Sequence, residues 1–244
     1  MAGAALHSRT VKHHYVPQFL LRRWTNTAGR LRSFSFRHGK LVSKDLAPRY
    51  TGFENGLYAL AANALGIAED TIERRLFSPL DNNAAKVLAK LERHEQITED
   101  DHIAWTFFLS SLKVRQPETL KFLRTKGMEL LSATLAMRDE GTLPKGWPAT
   151  ESWFDRNLPG VLASKALSNW LPRMITNEDV LDRFGSLKWW FREMDPDDGS
   201  LLLADMPLHW EGSFKGADFM IKLPIAPNRL FLGTASEETE AILI

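Results

Sequence analysis

His13 and His14 stand side by side, and their residue type can do chemistry. Imidazole serves as an acid–base group near neutral pH, and it ligates manganese, zinc or iron. Glu73 and Asp205 supply carboxylates that would orient a histidine or hold a divalent metal. Adjacent residues on an extended arm point to opposite faces, so the two histidines are not expected to share one metal. One would face the site while the other packs or bonds a backbone carbonyl. No H-E-x-x-H or comparable spacing occurs, so the sequence specifies no metal.

Arg22 and Arg23 follow an apolar pair on an expected short helix. A guanidinium there suits a phosphate or carboxylate, held by paired hydrogen bonds. The alternative is a buried ion pair with Glu73 that ties the N-terminal segment to the helices. Arg115 ends the most hydrophobic helix, where its charge complements the free carbonyls. Phosphate binding is the competing role. Asp205 follows three leucines at the expected end of a strand, a common place for catalytic carboxylates. It could equally be a turn aspartate that bonds its own backbone two residues on. Tyr15, Trp24, Phe34, Phe36 and Tyr50 interleave with arginines in residues 1–50. That mixture suits single-stranded nucleic acid, where bases stack and phosphates pair, and it also suits an amphipathic hairpin.

These residues need elements to position them. Pro17 suits a first helical turn, so Gln18 to Trp24 is expected as a brief helix. Leu31 to Arg37 and Lys40 to Leu46 alternate apolar and polar residues around His38-Gly39, which predicts a β-hairpin. The middle, about 68–184, has helical periodicity. Pro79 is expected to split the stretch Ala68–Glu95 in two. Thr98 is a fitting N-cap for a helix carrying Ile103, Trp105, Phe107, Phe108, Leu109 and Leu112 on a broad apolar face, expected deep in the core. Pro117 opens another helix through about Arg138, and two shorter ones are expected between Glu151 and Phe184. Leu187–Met194, Leu201–Ala204, Phe219–Leu223 and Arg229–Gly233 are expected as strands. The pattern is α+β. The N-terminal hairpin and the C-terminal strands are expected to share a small sheet packed on the helices, as a single domain over 1–244.

Composition narrows the classes. The chain has 244 residues, 44% hydrophobic and 25% charged, an ordinary globular balance. Cysteine is absent, which removes disulfides, thiolate zinc sites and cysteine nucleophiles and fits the cytoplasm. The longest apolar run, Ala104–Leu112, is broken by Thr106, Ser110 and Ser111, so no membrane span is expected. The opening residues lack the apolar stretch of a secretory signal. The motifs G-x4-G-K-[ST], G-x-G-x-x-G and G-x-S-x-G are absent, which argues against nucleotide motors, dinucleotide oxidoreductases and α/β-hydrolases. Residues 1–50 hold ten Lys or Arg against one acid, Asp45, hence +9 within a chain of net +1. An anionic partner such as nucleic acid fits that segment; packing beside the acidic remainder is the alternative.

The segment His13-His-Tyr-Val-Pro-Gln-Phe-Leu-Leu-Arg-Arg-Trp24 resembles the H-H-Y-V-P-x-F-x-L-R-x-F signature of the DUF4238 family of bacterial proteins. Ile72-Glu73, Leu80-Asp81, Arg115-Gln-Pro117, Ala204-Asp-Met-Pro207 and Leu223-Pro-Ile-Ala-Pro227 follow in the family's order. Asp81 stands where the family has Glu, and Ala204 and Met206 replace polar neighbours of Asp205. Such proteins run on past the position of Ile244. The resemblance implies which residues matter; it carries no activity.

Three functions compete, one of them a small-molecule hydrolase with a deep apolar pocket supplied by the tryptophans. The first is a nuclease-like hydrolase of nucleic acid or another phosphorylated substrate, in a setting of bacterial defence. His13 or His14 would then be base or ligand, Glu73 and Asp205 would hold a divalent metal or orient the histidine, and Arg22, Arg23, Arg115 and Tyr15 would contact substrate. The second is a non-catalytic nucleic-acid-binding or protein-interaction module, with the His, Arg, Glu and Asp residues as a structural network.

Overall fold

The computed structural model describes residues 12–61 and 68–236. The opening residues ahead of Lys12 lie outside them. Helix α3 (Glu99–Val114) runs through the middle of the packing. A capping box starts it: the Thr98 hydroxyl accepts from the Asp101 N–H, and the Asp101 carboxylate accepts from the Thr98 N–H at 2.8 Å. Its buried residues cover much of its circumference, so it packs on several sides. Trp105, Phe108, Leu109 and Leu112 join Ala84, Val87, Leu88 and Leu91 of α2 (Ser78–Glu92) in one core cluster. Val114, at the far end of α3, belongs to a second cluster. There it meets Leu120 and Leu123 of α4 (Pro117–Thr142) and Leu167, Leu171 and Ile175 of α6 (Val161–Ile175). Two short helices, α5 (Thr150–Asn157) and α7 (Glu178–Gly185), complete six helices in the middle.

The C-terminal quarter forms an antiparallel sheet of order β5-β8-β7-β6. Its strands are β5 (Lys188–Glu193), β6 (His209–Glu211), β7 (Met220–Ala226) and β8 (Arg229–Thr234). Ile221, Leu223 and Ile225 alternate along β7 and bury one face in the first cluster, with Phe231 beside them. The N-terminal part has its own strands. β1 (Lys12–His14) pairs with β4 (Phe53–Asn55), and β2 (Leu31–Arg37) pairs with β3 (Lys40–Leu46). Between β1 and β2 lie α1 (Gln18–Leu21) and one 3-10 turn, Arg22–Trp24. The β2–β3 turn is His38-Gly39, both at positive φ, as a tight two-residue hairpin turn requires.

The α+β class holds, but the two β-rich ends do not share a sheet. Among the described residues they form three separate sheets. Alternation along a strand reports a buried face and is silent on its partner. Leu201–Ala204 is not a strand. It runs as an irregular strap, with the Leu201 N–H donating to the Pro227 carbonyl and Leu203 packed inward. Pro79 does not split its helix: residues 71–92 are continuous. A π-helical turn, Glu73–Phe77, precedes the proline. Its wider loop accommodates a residue that lacks an N–H and crowds the carbonyl four positions back. The stretch Glu151–Phe184 holds three helices rather than two, divided at Leu158–Gly160 and Thr176–Asn177.

One glycine ties the N-terminal strand in place. Gly52 has φ +62°, and its carbonyl accepts from both Tyr15 N–H and Val16 N–H, at 3.0 and 3.1 Å. A Cβ there would sit 2.9 Å from the Val16 Cβ. Gly52→Ala is expected to cost about 1–3 kcal/mol through strain and crowding. Urea unfolding would show it as a lower midpoint with an unchanged slope.

Candidate functional site

Strand β1 delivers His13 to the interior and His14 to its other side, as alternation requires. His13 is fully buried. Its ring stacks on the Tyr58 ring, with centroids 4.1 Å apart and planes 6° from parallel. Its Nδ1 accepts the Tyr58 backbone N–H at 3.1 Å, which leaves the ring proton on Nε2. That Nε2 is buried without a hydrogen-bond partner. Burial lowers the His13 pKa to about 4, with Asp70 opposing the shift and Arg124 adding to it. His13 is therefore a neutral packing residue at pH 7. Tyr58 in turn donates its hydroxyl to Glu73 Oε2, and Ser78 donates to Glu73 Oε1 at 3.1 Å. Burial first, and the Glu73 charge second, push the Tyr58 phenol far up, so it stays a donor.

A second polar unit also packs against Phe77. Arg115 is fully buried and grips Asp81 with both terminal nitrogens, Nη2 to Oδ1 at 2.8 Å and Nη1 to Oδ2 at 3.1 Å. Nη2 also donates to the Ser111 hydroxyl at 2.8 Å, and the guanidinium lies 4.5 Å above the Phe77 ring centroid. Burial raises the Asp81 carboxyl above its ordinary value while the guanidinium pulls it back. The fork-to-fork geometry is that of an ionised carboxylate. His14 senses the Asp81 charge. It is half-buried, its Nδ1 stands 3.5 Å from Gln18 Nε2, and its ring tilts against Phe53. Burial lowers its pKa; the nearby Pro48 carbonyl opposes this without closing a hydrogen bond to Nε2.

The structure thus gathers His13, Tyr58 and Glu73, and beside them Asp81, Arg115 and His14. It does not gather the rest. Arg22 is exposed and forms no pair with Glu73, whose oxygens go to Tyr58 and Ser78. Arg23 pairs with Glu92. Tyr15 is half-buried, and burial together with the Asp205 charge raises its phenol. Asp205 is exposed at the end of the 201–204 strap, where it lines a cavity with the root of the β2–β3 hairpin. Among the described residues no hydrogen bond or ion pair links it to either histidine or to Glu73. Nor does it make the turn bond to the backbone two residues on, because Pro207 has no N–H. Among the described residues no three His, Asp or Glu side chains converge to hold a metal. The side chain missed from sequence is Tyr58. Its signal was rarity: it is one of three tyrosines in the chain.

What this arrangement does is hold β1 and the loop after β4 against α2 and α3. Arg115→Met would strand a buried Asp81 and is expected to cost about 3–5 kcal/mol. Asp81→Leu with Arg115→Met should regain part of that loss in a double-mutant cycle of unfolding free energies. The His13 shift has a pH consequence. The unfolded chain takes its proton at about 6.5 and the folded one only at about 4. Stability is therefore fully present above pH 6.5 and falls as pH drops towards 4, by up to about 3 kcal/mol for this group. Urea unfolding from pH 7.5 to 4.5 should show the fall, and His13→Phe should make it shallower.

Among the described residues no helix is long and apolar enough to cross a membrane. No curated protein and no solved structure matches the chain significantly. Residues 12–243 match the family model described as a protein of unknown function, DUF4238. With nearly its whole length inside that match, the chain belongs to the DUF4238 family.

Proposed function

We propose that the protein is a non-catalytic module that binds single-stranded nucleic acid through the β2–β3 ribbon, with the buried polar residues as its frame. The observation that carries this reading is the ribbon's surface. Phe34 and Phe36 alternate onto one face with Leu41, the cross-strand partner of Phe36. They are 50%, 78% and 61% exposed. Large apolar side chains grouped in water favour an interaction site. The same segment, residues 30–49, carries Arg30, Arg32, Arg37, Lys40, Lys44 and Arg49 against the single acid Asp45. Aromatic rings for bases beside cations for phosphates are the two ingredients of single-strand binding. The histidines, Glu73 and Arg115, by contrast, already serve packing and pairing roles. With no cysteine in the chain, the reading places the protein in the cytoplasm.

Fluorescence anisotropy with labelled single-stranded RNA and DNA tests it. Affinity should fall steeply between about 50 and 200 mM salt. Phe34→Ala and Phe36→Ala should each lose about tenfold, the worth of one stacked base. Lys40→Ala should lower the salt slope by about one. The same samples, incubated with magnesium, manganese or zinc and with chelator, test the hydrolase. Cleavage abolished by both His14→Ala and Asp205→Ala would replace the binding module with an enzyme.

A further inference from the structure

Asp205 is an oddity on such a surface. It is exposed, and among the described residues it makes no hydrogen bond or ion pair. It borders a cavity of about 270 Å³ at the ribbon's root, whose lining includes Trp24, Arg32, Ser33, Phe34 and Thr51. A carboxylate repels phosphate and can only accept hydrogen bonds. A face built solely for a sugar-phosphate backbone has no use for it.

We propose that this cavity is a subsite for one unpaired guanine, read by the Asp205 carboxylate; the proposal rests on the single-strand reading above. The volume lies just under the usual range of small-molecule pockets, roughly 300–1,000 Å³, and suits one flat ring system. Phe34 belongs both to the ribbon's aromatic face and to the cavity lining, so a strand stacked on the ribbon reaches the cavity without a gap. The Trp24 ring is fixed in place, because its indole N–H donates to the Leu201 carbonyl at 2.9 Å. A fixed ring loses little freedom when a base packs on it. Arg32 is engaged by Asp45 through two hydrogen bonds of 2.9 and 3.2 Å, so the cation in the lining is already neutralised. Asp205 is left as the uncommitted charge there.

The choice of base follows from donor geometry. Single-stranded bases present their Watson–Crick edges to a protein. Guanine offers two adjacent donors on that edge, N1–H and the N2 amino group, which match the two oxygens of a carboxylate. Adenine and cytosine pair one amino donor with a ring-nitrogen acceptor. Uracil places N3–H between two carbonyls. Each of these would set a lone pair against Asp205, which is the stronger source of discrimination.

The test is a binding comparison on the intact protein. Two uridine oligomers of about a dozen nucleotides would be used, one with a central guanosine and one with inosine there, which lacks only the N2 amino group. The guanosine oligomer should bind about tenfold more tightly, the worth of one hydrogen bond to a charged group. In Asp205→Asn that ratio should fall to near one, with the circular dichroism spectrum unchanged. Equal binding of both oligomers by the unsubstituted protein would overturn the guanine subsite and leave the ribbon reading standing. A guanosine preference that survives Asp205→Asn would overturn the assignment to Asp205. Absence of binding to either oligomer would overturn the subsite and the ribbon reading together.

Discussion

The bidentate pair between Asp81 and the fully buried Arg115 is the constraint around which the middle of this protein is arranged. A guanidinium inside a core is tolerable only with its charge matched, and here both terminal nitrogens are bonded while Nε is buried without a hydrogen-bond partner. Asp81 supplies the charge from α2, Ser111 takes a further N–H from within α3, and Phe77 covers the flat face. That fixes α2 on α3 in one register. Tyr58 packs against the same Phe77 ring at 4.7 Å between centroids and carries His13 and Glu73 with it. The two polar units are thus connected through one aromatic ring, and β1 is docked onto the helices by the His13–Tyr58–Glu73 unit.

Much of this architecture was written locally. The Thr98 cap, the alternation on either side of His38-Gly39 and the apolar spacing of α2 each depend on neighbours within a few positions, and each folds as its pattern indicates. What local pattern lacks is the identity of a distant partner. Arg115 and Asp81 are 34 positions apart, and His13 and Tyr58 are 45 apart. Chain spacing gave no reason to prefer Asp81 over Glu73 as the partner of a buried arginine. The same limit explains the sheets: the strand periods were legible, while the division into three sheets depends on pairing across tens of residues. The strap at Leu201–Ala204 misleads for a different reason. Leu201 and Leu203 turn inward and Leu202 outward, as in a strand, but the backbone joins no ladder.

The functional reading follows from the division of labour this creates. The interior polar residues are spent on assembly, and the proposed binding reading rests on the ribbon, the strap and the cavity between them. Charge is distributed to match. The segment before residue 51 is strongly positive and the remainder carries 21 basic and 29 acidic side chains. An approaching polyanion would be steered to one end of the molecule, with long-range repulsion from the rest favouring that orientation.

The β2–β3 ribbon has a further consequence. It is a sheet of two strands, and only Leu31 at its root is buried. Both of its outer edges therefore carry backbone N–H and C=O groups with no strand beside them among the described residues, next to exposed phenylalanines. Such an edge is a template on which a second copy of the same ribbon could add. Arg37, Lys40 and Lys44 oppose that addition, because pairing two ribbons would bring like charges side by side. The cations thus guard the protein against its own aggregation.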